Sequence, residues 1–157
     1  MPRKYESTER FLKPDPRYNS RLCGKFINCL MNEGKKSTAQ AVFYAAMDVV
    51  AKKISEVPPH DIFAEAVNNV RPVVEVRSKR VGGATYQVPI EVKRNRQQSL
   101  AFRWIIDCAR GKKGKPMHIK LADEIVSAFK KEGAAVTIRE NTHKMADANK
   151  MNAHFAW

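Results

Sequence analysis

The sequence predicts one mainly α-helical domain of about six helices, with a single protruding β-hairpin between the third and fourth. Three observations carry that expectation. Apolar residues recur at helical spacing in six separate segments. One segment alternates instead with a period of two, on either side of Gly82 and Gly83. The 157 residues, 43% of them hydrophobic, suit one domain with one core and argue against disorder.

Residues 1–19 hold Pro2, Pro14 and Pro16 among Arg3, Lys4, Arg10, Lys13 and Arg17, with no periodicity, and read as an extended basic arm ahead of a helical domain over 20–157. Ser20 is placed to cap a first helix carrying Leu22, Phe26, Ile27, Leu30 and Met31, closed by Gly34. Residues 37–40, STAQ, have capping-box spacing and are expected to open a second helix. Its stripe is Val42, Ala45, Ala46, Val49 and Val50, and Pro58 and Pro59 end the segment. Ile62, Phe63, Ala66, Val67 and Val70 mark a third helix, stopped by Pro72. The hairpin follows at about 73–92: Val74 and Val76 share one face of its first strand, and Tyr86, Val88, Ile90 and Val92 one face of its second. Gly82 and Gly83 tolerate the positive φ of a two-residue turn. Leu100, Ala101, Trp104, Ile105 and Cys108 place a fourth helix ending near Gly111. The loop GKKGK leads to Pro116 at the first turn of a fifth, which carries Leu121, Ile125, Ala128 and Phe129 and stops at Gly133. A sixth, more polar helix starts near Ala135.

Charge points to the partner. Twenty-nine Lys/Arg against 16 Asp/Glu give a net +13, an excess that bears on polyanion binding and not on fold. It is also segregated: residues 1–36 sum to +5, 71–96 to +5 and 97–115 to +4, whereas 37–70 sum to −2 and 116–157 to +1. A uniformly solvated surface would not divide this way. Arg77, Lys79 and Arg80 crowd the far half of the first strand, and Lys93, Arg94 and Arg96 follow the second. A hairpin with a basic tip and an apolar base suits projection into an anionic partner, and nucleic acid is the first candidate.

Other classes find little support. The 34–37 stretch GKKS lacks the earlier glycine and the Lys-Ser/Thr adjacency of a phosphate-binding P-loop, and it follows a helix. His60, His118, His143 and His154 match no metal-ligand spacing with the cysteines. Asp123 and Glu124 read as a solvated face or a first-turn charge. No nucleophile stands beside a base, so the expectation is no enzyme, no metal and no cofactor. Cys23, Cys29 and Cys108 are odd in number and form no C-x-x-C, so reduced core thiols in a reducing compartment are expected. No apolar run reaches the ~18–20 residues of a membrane span, and the first residues, MPRKYESTERF, show neither a signal-peptide core nor, with Glu6 and Glu9, a transit peptide.

Five blocks in order then resemble the bacterial and organellar family of small-subunit ribosomal protein S-seven: DPRYNSRL (15–22), GKKS (34–37), VRPVVEVRSKRVGGATYQVPIEV (70–92), LAFRW (100–104) and HKMADANKMNAHFAW (143–157). The resemblance spans essentially the whole chain and implies the same layout of six helices and a hairpin. It also implies a structural constituent of the small ribosomal subunit, a primary ribosomal RNA binder that nucleates assembly of the subunit head and lies near exit-site tRNA. The implied protein neighbours are small-subunit proteins nine and eleven, and the implied location is the ribosome of a bacterial cytoplasm, with an organellar interior also open.

Charge and resemblance together nominate an RNA-binding set. Arg3, Lys4, Arg10, Lys13 and Arg17 would thread along phosphates. Lys35 and Lys36 sit at a helix–helix corner. Arg77, Lys79, Arg80, Lys93, Arg94 and Arg96 would grip RNA from the hairpin, with Gly82 and Gly83 at its tip, since the planar fork of Arg suits phosphate. Arg103, Arg110, Lys112, Lys113 and Lys115 extend the face. Trp104 and Phe102 read as core packing ahead of base stacking because they lie in a helical apolar pattern. Tyr86 is open to both roles, and Glu75 and Glu91 are expected to be solvated or paired with hairpin cations. The rival reading is an architectural DNA-binding protein with a basic β-arm, for which Val81 is the one apolar wedge near the tip.

Overall fold

The computed structural model describes residues 11–155. In chain order the elements are α1 (Arg21–Leu30), α2 (Lys36–Lys53), α3 (Pro59–Val70), β1 (Val74–Val81), β2 (Ala84–Glu91), α4 (Arg94–Gly111), α5 (Met117–Phe129) and α6 (Ala134–Ala148), followed by a 3-10 segment, Lys150–Phe155. The expected class holds: mainly helical, with one two-stranded antiparallel hairpin between α3 and α4.

The core forms where the helical stripes converge, with α5 packed against α2, α3 and α4. Phe26, Phe43, Phe63 and Phe102, one from each of α1 to α4, are fully buried. Their rings meet at tilted and edge-on angles, with centroids 4.9 Å apart for Phe26–Phe63, 5.2 Å for Phe26–Phe102 and 5.4 Å for Phe43–Phe63. Such geometry adds to the large area that aromatic rings bury. Ile105, Leu121 and Ile125 complete the centre at full burial.

Local phases differ from expectation in three helices. On α2 the buried centre is Ala39, Phe43, Ala46, Met47 and Val50, while Val42 and Val49 pack at its flank. On α4 it is Ala101, Phe102, Ile105, Ile106 and Ala109, with Trp104 and Cys108 only partly buried. On α2 Phe43 and Met47 take the centre, whereas on α4 Phe102 does and the larger Trp104 stays at the flank. The third is α1, which ends at Leu30, so Met31 is a cap residue outside it. The capping box does not form: α2 begins at Lys36 with Lys35 at its N-cap and no side-chain cap bond. The turn bonds Lys35 N–H to Asn32 O (2.9 Å) and Lys36 N–H to Gly34 O (2.8 Å) deliver the chain into the helix before Ser37. Ser20 does hold the N-cap of α1, but its side chain makes no cap bond.

Residues 15–18, within the stretch read as an extended basic arm, are bonded to α2. Asp15 is 2% exposed and accepts bonds from Tyr44 Oη (2.6 Å) and from the N–H groups of Arg17 and Tyr18 (3.1 Å each). A side chain at Gly24 would put its Cβ 3.0 Å from Lys13 O, so glycine there lets this segment lie against α1. Burial and the bond to Asp15 push the Tyr44 hydroxyl up to about 12. Arg3, Lys4 and Arg10 lie outside the described residues.

The hairpin turn is as expected. Gly82 (φ 56°) and Gly83 (φ 89°) both take positive φ, and Val81 pairs with Ala84. That is the type I′ turn whose twist matches its strands. The register supplies a fact the alternation alone does not. Glu75, Arg77 and Lys79 pair with Ile90, Val88 and Tyr86, so cations and apolar residues share one face, while Val74 and Val76 pair with Glu91 and Pro89 on the other. Charge and apolarity are therefore mixed across the strands and not divided simply between tip and base.

The three cysteines are free thiols, but only Cys23 is in the core; Cys108 is half-buried and Cys29 exposed.

Candidate nucleic-acid interface

Each basic residue has to be sorted by whether the fold already uses its charge. Glu75 organises the hairpin base. It is 7% exposed and accepts Arg77 Nε at 3.0 Å and Arg96 Nε at 2.8 Å. The two arginine side chains remain 45% and 48% exposed. Because Nε is the bonded atom in both, the Nη donors of each guanidinium make no other hydrogen bond among the described residues. One buried carboxylate thus sets two planar forks side by side with their outer edges available, the arrangement that bidentate phosphate recognition needs.

Further along the hairpin, Lys79 Nζ donates to Phe155 O at 2.8 Å, and the Tyr86 ring stacks on Phe155 with centroids 4.8 Å apart. One face of Tyr86 is therefore occupied from within the chain. Arg80, beside the Gly82–Gly83 turn, is exposed and has no side-chain partner among the described residues.

On α4, Arg96, Arg103 and Arg110 recur every seven residues. Two helical turns bring each within about 20° of the last, so the three form one row about 21 Å long at 1.5 Å per residue. Glu75 anchors one end. At the other, Arg110 Nη2 donates to Leu30 O (3.2 Å) and Asn32 Oδ1 (2.9 Å). Arg103 is exposed between them without a hydrogen-bond or ion-pair partner among the described residues. Lys25 of α1 joins it: although Cys29 is exposed on the surface, the protein around its thiol partly desolvates it and raises its pKa, and Lys25 and Arg103 both oppose that rise. Lys25 is absent from the sequence-based set, although its place four residues after Arg21 on a helix was a legible signal.

Three helices open against the usual electrostatic preference. Lys35 and Lys36 begin α2, Lys93 and Arg94 begin α4, and Lys112, Lys113 and Lys115 precede α5; none of the three has an acid in its first turn. Helix N-termini carry partial positive charge and normally attract acids. Cations gathered there leave the helix-start N–H groups, and those side chains that have no inner partner, to an outside anion.

Several of these lysines have inner partners. Lys35 pairs with Glu33 at 2.9 Å, both largely exposed. Lys112 pairs at 2.5 Å with Glu124, which is fully buried and also accepts Ala135 N–H at 2.9 Å. Glu124 is therefore neither solvated nor a first-turn charge; it receives the start of α6. Asp123 pairs with Lys53 and, at 3.5 Å, with Lys115, so it too is structural. Arg17 is bonded to Asp48 at 2.6 Å and lies 5.4 Å from each of the Tyr18 and Tyr44 ring centres. It belongs to the docking of residues 15–18. Lys13, Lys36, Lys93, Arg94 and Lys113 are exposed with no side-chain partner among the described residues.

Among the described residues no three His, Cys, Asp or Glu side chains gather as metal ligands, and no helix is long and apolar enough to cross a membrane. A helical scaffold carries the hairpin, and cations that remain exposed cluster at its base, a surface suited to an anionic partner. The comparisons give the particular family. Residues 2–150 match the family described as ribosomal protein S7p/S5e, and the chain belongs to it. The family is one of structural, non-enzymatic ribosomal proteins. Among its relatives, the small ribosomal subunit protein uS7 of Rhodopirellula baltica is 61% identical over 144 residues, covering 91% of this chain and 92% of its own. Proteins of the same name from Desulfotalea psychrophila and Syntrophobacter fumaroxidans are each 52% identical over the full length of both chains.

Proposed function

We propose that this chain is a structural constituent of the small ribosomal subunit that binds ribosomal RNA through the hairpin base, the α4 arginine row and the basic helix starts. The pairing of Arg77 and Arg96 on Glu75 carries the proposal: one buried acid holds two guanidinium groups whose outer edges stay in solvent, leaving an excess positive charge there for an outside anion. That the relatives are small ribosomal subunit proteins supports the subunit, and RNA-binding and translation roles are consistent with the family. In the finer reading the chain is a primary binder that nucleates assembly of the subunit head, lies near exit-site tRNA and contacts small-subunit proteins nine and eleven. Its place is on the ribosome, in the bacterial cytoplasm by the source of these relatives.

The test is a salt titration of affinity for a small-subunit ribosomal RNA fragment, with duplex DNA at the same salt as the rival ligand. The informative variant changes Arg80, Arg94, Arg103 and Lys113 to Gln, because these four have no inner partner and leave the fold intact. If each neutralises one phosphate, the slope of log affinity against log salt falls by about 3 units, at roughly 0.7–0.9 per contact. Glu56→Gln with Glu65→Gln leaves it unchanged. An unchanged slope in the folded fourfold variant removes these residues from the interface, and preference for duplex DNA would restore the architectural reading.

A further inference from the structure

The C-terminal 3-10 segment lies against β2, and its contacts climb the hairpin instead of stopping at its base. Asn152 Nδ2 donates to Gln87 O at 3.1 Å. Phe155 stacks on Tyr86 at 4.8 Å and 30°, and its carbonyl accepts Lys79 Nζ at 2.8 Å. His154 covers Phe155 at 4.0 Å and bonds Met151 O through Nδ1 at 2.7 Å. Lys79 and Tyr86 are partners in the register, only two rungs from the Val81–Ala84 closing pair. An isolated two-stranded hairpin is marginal in water. The only buried side chains within its strands are Glu75 and Val88, so strand pairing alone does not fix its direction.

We infer that Asn152 and Phe155 are positioning residues for RNA binding: they brace the hairpin at a fixed angle so that its cations and the α4 row meet one RNA together. The inference rests on the RNA-binding reading above. Among the described residues the segment is held to the hairpin by one ring stack and two hydrogen bonds, enough to order it while its effect stays separable from the helical core. A fixed hairpin has already given up the freedom that RNA binding would otherwise take from it. It also lets two cationic surfaces act as one ligand.

The experiment uses the full chain with Phe155→Ala, Asn152→Ala and the ring-conserving Phe155→Tyr. Amide exchange across β1 and β2 accelerates in the first two while the exchange of α2 to α5 stays at wild-type rates. Affinity for the ribosomal RNA fragment falls roughly two- to tenfold, the scale of re-ordering a few side chains on binding. Phe155→Tyr restores both. Combining Phe155→Ala with Arg80→Gln loses less than the product of the single losses, since both act through one hairpin. Unchanged hairpin exchange in Phe155→Ala overturns the brace. Faster exchange with unchanged affinity overturns its link to RNA, and tighter binding would make the segment a cover and not a brace. Failure of the wild-type chain to bind ribosomal RNA sinks the RNA reading itself, while the exchange rates still decide whether the brace exists.

Discussion

The helical core and the hairpin are stabilised by different physics. The core is closed by area: four phenylalanines and the aliphatic residues around them are fully buried, and no single polar pair holds them in place. Beyond its own strand ladder and the Tyr86–Phe155 stack, the hairpin is held by a few polar bonds spread along its length: Arg77 and Arg96 on Glu75, Lys79 on Phe155 O, Asn152 on Gln87 O, and His143 Nε2 accepting Val73 N–H at 3.1 Å. Apolar burial is non-directional and tolerates small shifts, whereas these bonds fix an angle. A core built by area can serve as a platform. An arm built by bonds can be aimed, and its partner anion can compete for the same cations.

The contrast breaks most sharply at Phe26. It sits within 5.6 Å of Phe43, Phe63 and Phe102, so Phe26→Ala opens a cavity at the junction of four helices. The expected loss is about 3–5 kcal/mol in denaturant melts, with Ile105→Ala and Leu121→Ala at about 2–5. A loss below about 0.5 kcal/mol, the scale of surface changes, would mean that the core is not closed by area.

Glu124 marks where the bundle itself borrows the hairpin's method. It is fully buried, caps the Ala135 N–H and meets Lys112. Glu124→Ala strands that N–H, at a cost of about 1–3 kcal/mol. Lys112 is 40% exposed and can turn to water, so the larger penalty of an orphaned buried charge is not expected. Thermal melts decide it, and a neutral result would show that α6 starts without this bond.

How much was legible in the sequence follows the same division. The six helices, the hairpin and its turn came from periodicity and glycine placement, because area-driven burial writes itself into spacing. Stripe phase was less secure: Phe43 and Met47 take the centre of α2 and Val42 and Val49 its flank, a choice that apolar spacing alone leaves open. Side-chain bonds between distant segments leave no spacing to read. Asp15 to Tyr44 and Glu75 to Arg96 join residues 29 and 21 apart, and Asn152 to Gln87 joins residues 65 apart. The candidate RNA set was accordingly readable as composition, but its division into cations held by the fold and cations left to a partner was not.

The smallest expected effect tests an exposed bond on the bundle's own surface. Lys53, reinforced by Lys115, holds the Asp123 carboxyl below the usual carboxylate range. A lowered folded pKa stabilises the protein fully above the ordinary carboxylate pKa, and that contribution is lost as pH falls through the folded value. Asp123→Asn should therefore be less stable than the wild type at neutral pH and converge with it in strong acid. Lys53 is 43% exposed, so screening limits the gap to about 0.2–1 kcal/mol. High salt should narrow it further, as it does for any solvent-facing pair. Equal destabilisation at neutral and strongly acid pH would show that Asp123 acts by packing and not by charge. The surface of the bundle would then differ from the hairpin in kind, and not only in the number of its bonds.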